Sequence, residues 1–475
     1  VIALTLAEIA AAVSGELVSG APDAVVDGSV ETDSRLVTPG SIFFALHGEA
    51  TDGHLFVPQA VDAGARLVIT ERPVEVDAAQ IVVPDGYDAL AALAHEVVAR
   101  VRAHGDLRVV GITGSNGKTS TKNMLRTILA RHGETVAPQG SFNNHVGAPI
   151  SMLRITADTR YLVVEMGASG MGHIEKLVRI AEPDVGVVLK VGLAHAGEFG
   201  GIEMTQRAKS EMVKDLPPSA TAVLNLDDDR VIAMRDVTRA QVVTFGTAAG
   251  ADYRITDLTT SREGTSFTLT RSAASGGAAD VAESVSVRLA ILGEHHAMNA
   301  TAALVVANRW GIPLADGAEA LAGMVRAERW RMELLQGGPT GVTVINDAYN
   351  ASPDSTAAAL RTLAQIVRPG ERSVAVLGEM AELGEFSVEE HDRIGRLAVR
   401  LGIGQLIVVG PGALPIHQAA EFEGSLGAAT TYVENIDDAE QAVRSVVRSG
   451  DVVLVKSSKS AELRFLGDRL GGVDA

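Results

Sequence analysis

No cysteine occurs among the 475 residues. Disulfides and thiolate metal sites are thereby excluded, and the composition fits a reducing cytoplasm. Positive charge is also scarce, with 41 Lys and Arg against 59 Asp and Glu and a net charge of −18. Nucleic acid is therefore not expected as a main partner, because phosphate neutralisation needs basic patches. Any anionic ligand must be held locally, by a few cations and backbone N–H groups. No apolar run approaches the ~20 residues that a membrane span needs. The opening Val1-Ile2-Ala3-Leu4-Thr5-Leu6-Ala7-Glu8 lacks the basic start of a secretory signal, so a soluble chain without membrane insertion is expected. Aromatics make up only 4% while glycine reaches 49 residues, a balance that points to an α/β protein with many tight turns. The length suggests about three domains.

What is present is organised around Val109-Val110-Gly111-Ile112-Thr113-Gly114-Ser115-Asn116-Gly117-Lys118-Thr119-Ser120. β-Branched residues lead into a glycine-rich turn, and apolar residues at helical spacing follow, so the order is strand, loop, helix. That is the setting of a phosphate-binding loop. Converging backbone N–H groups and the helix start hold phosphate oxygens, Lys118 reaches the β/γ-phosphates, and Thr119 can hold Mg²⁺. Ile112 stands where the strict G-x-x-x-x-G-K-[ST] pattern has its first glycine, which makes this a variant loop. The bland alternative is a glycine-rich turn with a chance Lys-Thr; the strand-loop-helix context disfavours it.

Before this loop, alternating helices and strands fill residues 1–105: a helix over 4–13, strands over 40–46, 66–70 and 80–84, and a helix over 89–102. The clusters Thr32-Asp33-Ser34-Arg35 and His47 to His54 offer cations and hydroxyls to a phosphate or ribose, or are simply solvated loops. In residues 106–327, the strand Arg160 to Glu165 ends in a carboxylate where open α/β sheets bind ligands. Glu165 is thus a metal-ligand candidate, with a capping or surface role as the alternative. His195 can supply an imidazole to a second cation. Lys209 as a free ammonium would be repelled by Mg²⁺, so its plain role is a surface salt bridge or a phosphate contact. Residues 251–291 read as an antiparallel meander attached to the central sheet. Asn299, near the start of an alanine-rich helix, either belongs to a helix cap or reads an adenine edge. Residues 328–475 read as a separate open sheet without a second phosphate loop. No lysine lies between Lys214 and Lys456, which draws notice to Lys456 and Lys459.

Together these motifs resemble the ATP-dependent Mur ligase family over essentially the whole chain. The phosphate loop matches the family's own variant. Asp347-Ala348-Tyr349-Asn350-Ala351-Ser352-Pro353-Asp354-Ser355, Leu377 to Gly384, and Asn143-Asn144-x-x-Gly147-x-Pro149 resemble most the branch that adds a D-alanyl-D-alanine dipeptide. The resemblance implies three domains: an α/β UDP-sugar-binding domain (1–105), a central ATP-binding sheet with the meander (106–327), and a Rossmann-like domain (328–475) for the incoming dipeptide and part of ATP. It implies that Ser34, Arg35, His47, Asp52, His54, Asn143, Asn144, Asn350 and Lys456 bind substrates. Gly114, Asn116, Gly117, Lys118, Thr119, Ser120, Asn299, Arg331 and Asp347 would bind ATP, and Thr119, Glu165, His195 and Lys209 would hold two Mg²⁺ ions. Lys209 matches a lysine that is carbamylated in the family, and a carbamate's anionic oxygens remove the repulsion noted above. Lys118, Lys209 and His195 would be the catalytic set. His296 departs from the family's usual asparagine, and Lys456-Ser457-Ser458-Lys459 from Lys-Gly-Ser-Arg.

The implied reaction activates the terminal carboxylate of UDP-N-acetylmuramoyl-tripeptide as an acyl phosphate at the expense of ATP; the amine of D-alanyl-D-alanine then displaces phosphate. Closure of the third domain would exclude water. A monomer in the cytoplasm is expected. The rivals are an amino-acid-adding sister ligase, a folylpolyglutamate-type synthetase and, in another class, an ATP-switched binding protein.

Overall fold

The computed structural model describes residues 1–48, 51–138, 140–193, 200–273, 282–336, 338, 341–424 and 429–473. The first sheet has the order Glu16–Ser19, Ala79–Val82, Leu67–Thr70, Ile42–Phe44, Val30–Glu31, parallel except for its first pair. The opening helix is shorter than the spacing predicts and runs Leu6–Ala12, while Leu4–Thr5 pairs with Val25–Val26. Thr5 is the reason. Its hydroxyl accepts from Glu8 N–H and its own N–H donates to the Glu8 carboxylate, a capping box that sets the helix start.

Nine strands form the central sheet, in the order Glu283–Leu289, Gly264–Arg271, Tyr253–Ser261, Gln241–Gly246, Thr221–Asn225, Val185–Val188, Arg108–Thr113, Tyr161–Glu165, Thr135–Val136. The expected meander is its antiparallel edge, joined by a parallel pair to Gln241–Gly246. That joining strand escaped the sequence reading. Arg108–Thr113 lies between strands that follow it in the chain, at the point where the strand order reverses, and a crevice opens at its C-terminal end. The phosphate loop and Glu165 both emerge there.

One face of this sheet shares a continuous core with the first domain, in which Ile9, Leu90 and Val97 join Val109, Leu162 and Leu216. The other face packs on helices Lys118–Leu129 and Glu294–Arg309. The third sheet runs Glu333–Gln336, Thr343–Asn346, Val452–Lys456, Ser373–Leu377, Gln405–Val409, Ala429–Val433, parallel apart from its first pair, with an apolar core on each face. Val452–Lys456 thus delivers Lys456 to the middle of that sheet's C-terminal edge. Leu304 is buried where the two central helices meet the sheet. Leu304→Ala should cost about 2–5 kcal/mol in a urea titration followed by circular dichroism.

Candidate active site

Ile112 explains the variant spacing of the phosphate loop. It is a fully buried strand residue in register with Glu165 on one side and Val187 on the other, so the turn begins only at Gly114. Gly117 closes the turn with φ +89°, in the left-handed region, and a methyl group there would collide with the Asn299 amide. Ser115 pins the loop to the neighbouring strand's extension: its N–H donates to Lys190 O (2.8 Å), and its hydroxyl accepts from Gly192 N–H (2.8 Å). Lys118 folds back to donate to Gly114 O at 2.7 Å.

Glu165 is buried, which rules out the surface alternative. One oxygen accepts from the Asn143 amide at 2.9 Å, and the other has no hydrogen-bond partner. Thr119 Oγ1 lies 3.5 Å from Ser141 Oγ and accepts from Arg331 Nη2 at 3.3 Å. Burial lowers the Lys118 ammonium's pKa; the Glu165 carboxylate opposes this and Arg331 adds to it. Lys209 is buried, not a surface ion-pair residue. Burial, and then the charge on Lys118, lower its pKa to about 7. Its charged form is therefore disfavoured relative to an ordinary lysine. His195 lies outside the described residues.

A cavity of about 220 Å³ collects Asn116, Gly117, Lys118, Thr119, Ser120, Asn143 and Glu165 from the central domain and Arg331, Asp347, Asn350 and Lys456 from the third. Arg331 stacks 4.4 Å over the Tyr349 ring, whose hydroxyl meets Ser141 Oγ at 3.1 Å. Its neighbours Trp330 and Met332 both have positive φ, 58° and 51°. This strained backbone is held by the Glu333 and Asp347 carboxylates, which accept from Trp330 and Met332 N–H at 2.9 and 3.0 Å. Ser352 donates to Asn116 Oδ1 at 3.1 Å, and Lys190 pairs with Asp354 at 3.2 Å, so the third domain already rests on the loop. Lys456 is buried and donates to Asp347 Oδ2 at 2.6 Å and Asn350 O at 3.1 Å. It ties two site residues together at the wall of the cavity.

Asn116, Gly117 and Asn299 also border a second cavity, of about 340 Å³, with Leu189, Phe245, Leu258 and Met298 as its apolar lining. Sequence reasoning named Asn299 but missed that lining, since Phe245 and Leu258 come from strands whose pattern carries no ligand signal. His295 and His296 stand between the cavities with ring centroids 4.3 Å apart. Burial lowers both pKa values, that of His295 to about 4, and neither nitrogen of His296 has a partner.

In the first domain, a cleft of about 460 Å³ is lined by Ser34 and Arg35 together with Leu46, Phe56 and Gln59. His54 and Asp52 do not line it, although Thr51 and Gly53 beside them do. His54 is buried; its Nε2 accepts from Glu71 N–H at 2.9 Å, which leaves Nδ1 to donate to Asp52 Oδ1 at 2.7 Å. Arg72 and then His54 hold the Asp52 carboxyl well below the usual range. His47 is more exposed, 3.7 Å from Asp52. Asn144 caps helix Gly147–Met152 by accepting from Val146 and Gly147 N–H. Between the domains, the Tyr87 and His145 rings lie 5.1 Å apart and are tilted by 53° to each other.

Fold and site define a phosphate-loop α/β protein whose nucleotide site is roofed by a third domain. Family models match three stretches: "Mur ligase family, catalytic domain" over residues 28–103, "Mur ligase middle domain" over 112–307, and "Mur ligase, glutamate ligase domain" over 330–459. UDP-N-acetylmuramoyl-tripeptide–D-alanyl-D-alanine ligase of Mycobacterium tuberculosis is 42% identical, with 99% of this chain and 98% of that one covered. The crystal structure of MurF from Acinetobacter baumannii superposes with a TM-score of 0.87 at 31% identity, covering 99% of each chain. MurF ligase from Thermotoga maritima in complex with ADP gives 0.79 at 27%, covering 94% of this chain and 97% of that one. The chain belongs to the Mur ligase family.

Gly117→Ala combines backbone strain with a clash on Asn299, and roughly tenfold weaker ADP binding or worse is expected by calorimetry, since such strain costs of order 1–3 kcal/mol.

Proposed function

We propose that this chain is an ATP-dependent amide-bond ligase that joins D-alanyl-D-alanine to UDP-N-acetylmuramoyl-tripeptide, in the cytoplasm and as a monomer. The observation that carries the chemistry is the unpartnered Glu165 oxygen in one cavity with Lys118 and Arg331, at the mouth of a phosphate loop. Relatives named for this reaction match the chain from end to end, which supports the substrate pair.

The donor set suits magnesium. An orphaned carboxylate oxygen and a threonine hydroxyl are hard oxygen ligands, the kind Mg²⁺ prefers. When bound, Mg²⁺ would neutralise phosphate charge and orient the reacting oxygens. Glu165 and Thr119 would hold one ion. A second would fall to His195 and to Lys209 once carbamylated. The lowered pKa of Lys209 supports that modification, because only the neutral amine attacks CO₂.

Within the cavity the chain's own groups then have defined tasks. The loop N–H groups and Lys118 grip the β- and γ-phosphates, and Arg331 approaches from the third domain. Asn299 and the apolar cleft beside it take the adenine. Asp347, fixed by Lys456, faces the ribose. The substrate carboxylate attacks the γ-phosphorus and ADP leaves; the dipeptide amine attacks the resulting acyl phosphate and inorganic phosphate departs. Ser34 and Arg35 sit in the cleft proposed for the UDP-sugar, and His47, Asp52 and His54 on the adjoining loop are proposed to assist them. From there the peptide would run past Asn144 and Asn143 to Glu165. The proposed division of labour is 1–105 for the UDP-sugar, 106–327 for ATP, and 328–475 for the dipeptide and part of ATP.

The deciding assay is phosphate release from ATP in the presence of UDP-N-acetylmuramoyl-tripeptide. Release that depends on D-alanyl-D-alanine, with a pentapeptide product by mass, is expected. Dependence on a single amino acid would assign the chain to a sister ligase, and no release with any amine would leave only an ATP switch. Lys209→Ala should abolish ligation and keep ATP affinity. With ¹³C-bicarbonate, a carbamate carbon resonance should appear in the unsubstituted protein, strengthen as pH rises through about 7, and be missing from Lys209→Ala.

A further inference from the structure

Lys122 is among the largest fully buried side chains, yet neither the phosphate loop nor the proposed chemistry uses it. It lies one helical turn beyond Lys118 on the helix Lys118–Leu129, so both ammonium groups leave the same face. Lys118 bonds the loop on its own side, whereas Lys122 crosses to donate to Gly140 O at 2.6 Å. Burying an ammonium group is costly, and burial lowers the pKa of this one against the opposing pull of Glu165 and Glu328. A methionine of similar length would fill the same space without that cost. The charge and its hydrogen bond therefore call for a purpose beyond packing.

The segment that Lys122 grips provides it. Directly after Gly140, Ser141 Oγ lies between Thr119 Oγ1 and the Tyr349 hydroxyl, at 3.5 and 3.1 Å. Two residues later the Asn143 side-chain amide donates to Glu165 Oε1 at 2.9 Å, while the Asn143 backbone carbonyl accepts from Gly167 N–H at 2.8 Å. The far end of the segment is thus tied to the strand that carries Glu165. The near end is tied by Lys122. Gly140 has φ +59° and open space around it, so its own packing holds it little.

We infer that Lys122 is a positioning residue for the cation site: by anchoring Gly140 it places Asn143, which orients the Glu165 carboxylate so that its free oxygen faces the phosphate loop. This rests on the reading of Glu165 as a metal ligand given above. Groups that orient a metal's carboxylate ligand typically contribute about 10–100-fold in metal affinity.

The test uses Mn²⁺ as the probe, with the full chain saturated by ADP, and reads free Mn²⁺ by electron paramagnetic resonance. Lys122→Met should raise the Mn²⁺ dissociation constant by roughly tenfold or more and leave metal-free ADP binding within about twofold, since it removes no phosphate contact. Lys122→Arg, which keeps a donor, should recover much of the loss. The double variant Lys122→Met/Asn143→Ala should bind Mn²⁺ about as weakly as Asn143→Ala alone, because the two act in series. Unchanged Mn²⁺ affinity in Lys122→Met, additive effects in the double variant, or an equal loss of metal-free ADP binding would each overturn the inference. An unsubstituted protein with no ADP-dependent Mn²⁺ site would overturn the Glu165 reading itself.

Discussion

Two lysines and an arginine gather around a single buried carboxylate, and a third lysine lies behind them. Lys118, Lys122 and Arg331 surround Glu165, Lys209 adds its charge next to Lys118, and Glu165 alone cannot balance them. The other carboxylate lining the cavity, Asp347, is committed to Lys456. Cations crowded into a site of low dielectric raise one another's cost, and the charge on Lys118 makes Lys209 less ready to carry a proton. A polyanion relieves that cost, which is why the apposition reads as a receptor for phosphates and not as a stabilising element. The glycine turn, the strand-end acid and the roof formed by the third domain make sense only around that charge.

The same constraint accounts for how the domains are joined. A continuous core welds the first domain to the central sheet, so their clefts keep a fixed relation. The third domain meets the central one mainly through polar contacts: Ser352 with Asn116, Lys190 with Asp354, Arg331 with Thr119, and Arg262 and Arg368 with Glu371 and Glu263. Contacts of this kind separate at little cost compared with apolar ones. A joint that opens for substrates and closes for chemistry would be built in this way.

Overall charge and local charge point in opposite directions here. At −18 the chain repels anions at long range, but at physiological salt that field fades within about 8 Å. Recognition of a phosphorylated ligand is therefore left to the cavity at the phosphate loop, where desolvated cations and backbone N–H groups act at contact distance. His295 and His296, kept neutral by burial, offer polar atoms there without adding to the crowding.

The local sequence sufficed for whatever depends on neighbours along the chain. The strand-loop-helix order of 109–129, the Glu165 carboxylate at a strand end, the antiparallel edge and the separate third sheet follow from side-chain period and glycine placement, which are short-range properties. Tertiary structure decided everything that depends on burial and on distant charges. It turned Lys209 from a surface candidate into a desolvated amine, buried Lys122, made Lys456 a tie for Asp347, and put His54 inside its loop with both nitrogens occupied. It also assembled Phe245, Leu258 and Met298 into a cleft beside Asn299. The capping box at Thr5 was legible in principle, as a threonine followed three residues later by glutamate. The physical division is one of range: backbone conformation is chosen by adjacent residues, whereas the protonation and partners of a side chain are set by whichever elements the fold brings against it.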